Sequence, residues 1–108
     1  MGYAWVRAGL TAAAALWLGA AAPLPTVQVS IDNFSFMMPT VTVPVGTTVV
    51  WTNHDDVPHT VTSADTPRGF TSPPLDTDEH YSHRFDHVGR FAYFCSLHPQ
   101  MQAMVIVR

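Results

Sequence analysis

The chain has 108 residues, which suits one domain with a modest core. Five basic residues stand against eight acids. Without the first 22 residues there remain four arginines, no lysine and the same eight acids, a net charge of −4 with histidine neutral. That balance argues against nucleic acid as a partner, and the single cysteine has no internal disulfide partner.

Residues 1–22 read as a secretory signal peptide. Arg7 precedes an apolar run from Ala8 to Leu18, and the small residues Gly19, Ala20, Ala21 and Ala22 follow as a cleavage region. The run is shorter than the ~20 residues of a spanning helix. The expectation is therefore an exported, periplasmic chain with no stable membrane insertion after cleavage, its folded domain being residues 23–108. A lone cysteine in such a compartment needs protection, and a metal supplies it.

From Pro23 onward β-branched residues and turn formers dominate, with no amphipathic stretch of helical length. Val27, Val29 and Ile31 alternate with Gln28 and Ser30, the pattern of a half-buried strand. Val41, Val43 and Val45 repeat it before Gly46. Thr47 to Thr52, carrying Trp51, is expected to be the most buried strand. Asn53-His54-Asp55-Asp56 reads as a loop by composition, with Asn53 as a turn residue that stabilises it. His59 to Thr62 reads as a short strand, and Ala64 to Asp78 as an irregular excursion. Tyr81, His83 and Phe85 alternate with Ser82, Arg84 and Asp86. Asp86-His87-Val88-Gly89 turns the chain into a strand ending at Cys95, and Met104 to Val107 closes the sheet. Seven or eight short strands at this spacing predict an all-β antiparallel sandwich.

The chemistry concentrates in Tyr93-Phe94-Cys95-Ser96-Leu97-His98-Pro99-Gln100-Met101. Thiolate, imidazole and thioether fall within seven residues, and His59, in Val57-Pro58-His59-Thr60, offers a second imidazole. Two His and one Cys with a weak axial Met suit copper in both oxidation states. Pro99 disfavours the α conformation at His98, so a tight loop leaving a strand is expected rather than a helix face. Alternation through Phe91, Tyr93 and Cys95 puts the cysteine on the buried side. Met104 is the competing thioether, expected to open the last strand and point into the barrel.

Other histidines carry less. His80 and His83 fall on opposite faces of one strand, so a second metal site is not expected there. His83 is expected in a hydrogen-bonded core position and His54 on the loop surface. A Cys-His nucleophile lacks an orienting group and a cleft, and structural zinc prefers four strong ligands, for which Met is the wrong residue.

Cys-x-x-His-x-x-Met with an upstream Pro-His resembles the small cupredoxins, in particular the amicyanin and plastocyanin-like group, over residues from about Val27 to the end. The resemblance is to amicyanins within that group, since Met101 follows His98 by three positions; the plastocyanin spacing would fall on Ala103. It implies a cupredoxin-like Greek-key β-sandwich and one type 1 copper held by His59, Cys95, His98 and Met101, cycling between Cu(I) and Cu(II). It also implies a monomer, not an enzyme, that passes single electrons between a redox donor and an acceptor. These partners dock transiently near Leu97, His98 and Pro99, with Met37, Met38 and Pro39 joining the patch. The alternative is a periplasmic copper carrier or storage protein. In the group an Asn usually follows the first His and hydrogen-bonds near the ligand loop; here that position is Thr60, whose hydroxyl partly substitutes. Leu97 likewise stands where a Pro is common.

Overall fold

The computed structural model describes residues 23–108; the signal-peptide reading of residues 1–22 lies outside the described residues. Alternation builds the first strand, β1 (Thr26–Asp32), which buries Val29 and Ile31 while Gln28 and Ser30 stay more exposed. A turn at Asn33 and Phe34 leads into β2 (Ser35–Phe36), and residues 37–39 carry the chain into β3 (Thr40–Val43). Pro44 ends β3, so Val45 is exposed in the turn instead of continuing the alternation. Gly46, at φ +93°, supplies the left-handed residue that this turn requires.

β4 (Thr47–Asn53) follows, with Thr47, Val49, Trp51 and Asn53 all fully buried on one face, which makes it the most buried strand as expected. β5 (Thr62–Ser63) is shorter and later than the expected strand. His59 instead forms an isolated bridge to Leu75 in the excursion, because Pro58 interrupts the approach and the loop must fold back over the sheet end. β6 (His80–Phe85), β7 (Gly89–Phe94) and β8 (Gln102–Val107) complete the described strands.

Two four-stranded sheets result, ordered β2-β1-β4-β6 and β3-β8-β7-β5. Four pairings are antiparallel and two, β1 with β4 and β3 with β8, are parallel, so the sandwich is mixed rather than wholly antiparallel. The cause lies at Met37-Met38-Pro39. There the chain passes from the first sheet to the second, so that β4 returns beside β1 in parallel with it and β8 later lies parallel to β3.

The core fills the space between the sheets. Trp51 sits at its centre, edge-on to Tyr93 at 5.3 Å and stacked with Phe70 at 6.1 Å. Its Nε1–H donates to the Tyr93 hydroxyl at 3.1 Å, joining the two sheets. Burial pushes the Tyr93 hydroxyl pKa up to about 12, the Trp51 hydrogen bond opposing that rise. Val29, Ile31, Val49, Val61, Val105 and Val107 pack around these rings, each stabilising the fold by roughly 1.5–3 kcal/mol relative to exposure.

Met104 does not enter this core. Val105 and Val107 take the inward positions of β8, so period-two alternation turns Met104 to the outer face. His83 is half-buried and lies against rings, stacked on Phe70 at 4.8 Å and edge-on to Phe85 at 4.8 Å, where a hydrogen-bonded position was expected. Desolvation holds its pKa below the ordinary value, with Asp86 opposing. His80 is exposed on the opposite face of β6, as parity requires.

Candidate metal centre

One end of the sandwich carries the site. β7 delivers Cys95 immediately past its last residue, fully buried, as the inward phase of Tyr93 demands. The loop after it closes on itself: Cys95 N–H donates to Met101 C=O at 3.1 Å and Met101 N–H to His98 C=O at 2.9 Å. Those two bonds replace the helical pattern that Pro99 forbids. Met101 is buried in the same cluster as Cys95, while His98 is half-buried at the rim.

His59 arrives from the opposite sheet's loop and is fully buried. Its backbone is pinned by reciprocal bonds with Leu75, His59 N–H to Leu75 C=O at 3.1 Å and Leu75 N–H to His59 C=O at 2.7 Å. Asn53, also fully buried, organises this loop as expected of a turn residue. Its Nδ2 donates to Val57 O at 2.9 Å and Leu75 O at 2.8 Å, and its Oδ1 accepts the Asp55 N–H at 2.9 Å.

Among the described residues, one group of metal-binding side chains converges: His59, Cys95 and His98, with ligand atoms within 4.8 Å of one another. Nδ1 of each histidine lies 3.7 Å from Cys95 Sγ, and the two Nδ1 atoms are 3.2 Å apart. His54, His80, His83 and His87 form no comparable group.

The surroundings prepare these atoms to donate electron pairs. Asp55 Oδ2 accepts the Nε2–H of His59 at 2.8 Å. That leaves Nδ1 of the neutral ring as the free lone pair, aimed at the sulfur. The Phe34 N–H, at 2.9 Å from the same carboxylate oxygen, is the main cause holding Asp55 below the usual carboxylate pKa, and His59 adds to it. Thr60 N–H donates to Cys95 Sγ at 3.3 Å, and Thr60 Oγ1 accepts the Ser96 N–H at 2.7 Å. The threonine hydroxyl therefore does tie the first-histidine loop to the ligand loop. A soft sulfur flanked by two imidazole nitrogens, with Cys95 and His59 fully buried, fits copper.

Two site residues were not visible in the sequence. Phe34 lays its ring edge-on to both His59 (5.4 Å) and His98 (5.0 Å), and Asp55 orients His59. The available signals were weak: an aromatic after an Asp-Asn turn, and an acid four positions before a histidine outside any helix. Phe34, Leu97, Met37 and Met38 are exposed large apolar side chains. Leu97 lies in the ligand loop, Phe34 covers the imidazoles, and the two methionines follow β2.

A β-sandwich with one His-Cys-His group at its end defines a class of small single-site metal proteins. A family model for the cupredoxin-like domain matches residues 4–107, and the chain belongs to that family. It is similar to amicyanin-alpha of Methylorubrum extorquens, 32% identical over 115 residues that cover 99% of this chain and 97% of the relative. The amicyanin of Paracoccus versutus is 32% identical over 108 residues, covering 96% and 82%. Among solved structures, a purple cupredoxin from Nitrosopumilus maritimus superposes with a TM-score of 0.71 at 35% identity, covering 76% of this chain and 99% of that one.

Proposed function

We propose that this chain is an exported blue-copper protein that passes single electrons between redox partners through one copper held by His59, Cys95, His98 and Met101. The observation that carries this is the convergence of two Nδ1 atoms on a buried thiol sulfur at 3.7 Å each. Membership of a family whose amicyanin members carry electrons, not catalyse reactions, supports it. So does the build of the site. His59 and Cys95 are both held by buried hydrogen bonds, so little must rearrange when the metal changes charge, and fast transfer follows. A site this buried favours retention of copper over a carrier's release.

The test is the visible spectrum of the Cu(II)-loaded protein. An intense thiolate-to-copper band is expected, and Cys95→Ser abolishes it while the domain stays folded; a band that survives the substitution removes Cys95 from the site. Met101→Leu is expected to keep the colour and raise the reduction potential, because a lost weak donor disfavours Cu(II) more than Cu(I). Met104→Leu, on the outer face, leaves the potential unchanged. A shift with Met104 in place of Met101 overturns the axial assignment.

Docking of the partners falls to the apolar end beside His98, where Leu97 and Pro99 are exposed. A small patch suits brief encounters that dissociate quickly after transfer. Leu97→Asp should slow exchange with the physiological partner without altering the spectrum. The first 22 residues support export, which N-terminal sequencing of the mature protein from a periplasmic fraction checks.

A further inference from the structure

Among the described residues, the large apolar side chains that stay exposed divide between the two ends of the sandwich. Phe34, Met37, Met38 and Leu97 belong to connections on the side of the metal centre. The other three, Leu24 (55% exposed), Val45 (46%) and Val88 (70%), lie at the opposite end. β4 separates the ends: its seven residues run from Thr47, beside the Val45 turn, to Asn53, which organises the His59 loop, a span of roughly 20 Å.

Register gathers the three. Val43, Val107 and Gly89 are paired across β3, β8 and β7, so the turn that holds Val45 and the turn that holds Val88 flank one edge. Gly46 N–H donates to Phe85 O at 2.8 Å, tying the first turn to the start of the second. Leu24 arrives where the chain enters β1: a Cβ on Gly46 would stand 3.2 Å from its Cδ2, and Thr48 N–H donates to Pro25 O at 3.0 Å. Pro23, Pro25 and Pro44 are exposed beside them. Turn tips ordinarily carry Gly, Asn, Asp or Ser. None of the three aliphatic residues belongs to the core cluster, so packing does not account for them.

Charge follows the same axis. Asp32, Asp55, Asp56, Asp76, Asp78 and Glu79, six of the eight carboxylates, lie around the metal end, where Asp78 N–H and Thr77 Oγ1 donate to Asn53 O and Asp55 O. Arg84, Arg90 and Arg108, three of the four arginines in residues 23–108, lie in the other half. Asp86 matches Arg84 at 2.7 Å, and Asp65 lines a groove beside His87. Arg90 and Arg108 are exposed, with no carboxylate side chain in ion-pair reach among the described residues. The apolar run from Ala8 to Leu18 joins the fold at this same end, Leu18 preceding Leu24 by six residues, at most roughly 20 Å of extended chain. On the export reading above, the segment that brings the chain to a membrane delivers these turns to its surface.

We infer that this end rests on the surface of an anionic lipid bilayer. Leu24, Val45 and Val88 dip toward the acyl chains, Arg90 and Arg108 meet headgroup phosphates, and the metal centre faces the aqueous side. Three side chains on turns bury little area, so the attachment is peripheral and reversible. The carboxylates of the metal end are repelled by the same surface, which sets the orientation. Partners then find the metal end free on a protein that stays close to the membrane.

The test mixes the exported protein with vesicles of three parts phosphatidylcholine to one of phosphatidylglycerol and sediments them. Binding is expected, weaker by roughly fivefold or more on pure phosphatidylcholine and in high salt, where the arginines lose their anionic partners. Val45→Glu/Val88→Glu should lower vesicle affinity by about tenfold or more, whereas Leu97→Asp at the metal end leaves it unchanged. Fluorescence reads the orientation: Val88→Trp should be quenched by vesicles with brominated acyl chains, and Leu97→Trp should not. Val88→Glu alone, at the most exposed of the three positions, gives the same test with a smaller effect should the double variant fail to fold. Absent binding, equal affinity for the two vesicle compositions, or quenching of Leu97→Trp in place of Val88→Trp overturns the inference. Binding that the glutamates leave intact assigns attachment to residues 1–22 and overturns it too. A dimer on sedimentation without lipid, abolished by the double variant, overturns it in favour of a second copy as occupant. The same binding is expected of the metal-free protein, so failure of the copper reading leaves this surface standing.

Discussion

Asp55 and Phe34 together decide how firmly the imidazoles are held. The Asp55 carboxylate accepts from both Phe34 N–H and His59 Nε2–H, and these bonds lower its pKa from 3.8. A carboxylate depressed on folding contributes stability that is fully present above its unfolded value and is lost as pH falls through the folded one. The metal-free domain should therefore lose stability on acidification below the ordinary Asp range, and Asp55→Asn should flatten that limb. Urea unfolding of both proteins across acidic to neutral pH checks it; identical slopes remove Asp55 from the effect. Phe34 sits at φ +55°, an unfavourable conformation for a bulky residue, held there by the Asp55 bond while its ring leans on both histidines. Phe34→Ala should leave the fold intact and let a competing chelator strip Cu(I) several-fold faster, with Phe34→Tyr restoring the slow rate. Unchanged stripping in the alanine variant means that the ring only covers surface.

At the level of elements, β4 and β7 belong to different sheets and are joined through the core by the bond from Trp51 Nε1–H to the Tyr93 hydroxyl. Cys95 directly follows the last residue of β7, so the bond fixes the strand that delivers the cysteine. Tyr93→Phe keeps the ring and deletes the acceptor, which leaves a buried indole N–H without a partner. The expected cost is about 1–3 kcal/mol of unfolding free energy. Denaturant titration reads it directly, and a loss under roughly 0.3 kcal/mol would falsify the claim that this bond matters to sheet packing. His83, in contrast, meets rings, and its lowered pKa follows from that setting. Its contribution to stability is present above the unfolded value of 6.5 and declines as pH falls through the lower folded one. His83→Phe should keep the stacking and reduce the loss of melting temperature on going from neutral to mildly acid conditions.

For the molecule as a whole, a metal held by His59 and Cys95 would tie the two sheets at one end, since His59 follows β4 and Cys95 follows β7. A ligand that binds only the folded state stabilises it by about 2.7 kcal/mol at a hundredfold excess over its dissociation constant. A domain of this size gains roughly 4–8 °C of melting temperature per kcal/mol. Copper saturation should thus raise the melting temperature by about 10 °C or more in the wild type and by far less in Cys95→Ser. Calorimetry with and without copper measures the difference, and equal gains in the two proteins would place the stabilising metal elsewhere.

The features legible in the sequence are those that depend on neighbours along the chain. Cys95, His98 and Met101 fall within seven residues, Pro99 denies them a helix, and the alternation through Tyr93 turns Cys95 inward; each step is local, and each holds in the fold. The same alternation announced β1, β4 and β7 and the separation of His80 from His83. What required the tertiary structure involves pairs brought together by sheet register. Asp55 meets the Phe34 amide, 21 residues distant in the chain, because β1 and β4 run parallel and end together. That parallel pairing follows from a sheet switch at Met37-Met38-Pro39 that alternation does not encode, since a strand that continues and one that reverses carry the same period-two pattern. Met104 shows the limit from the other side: its face depended on which neighbour began the strand, a shift of one residue that inverts every side chain and is settled only by what packs beneath.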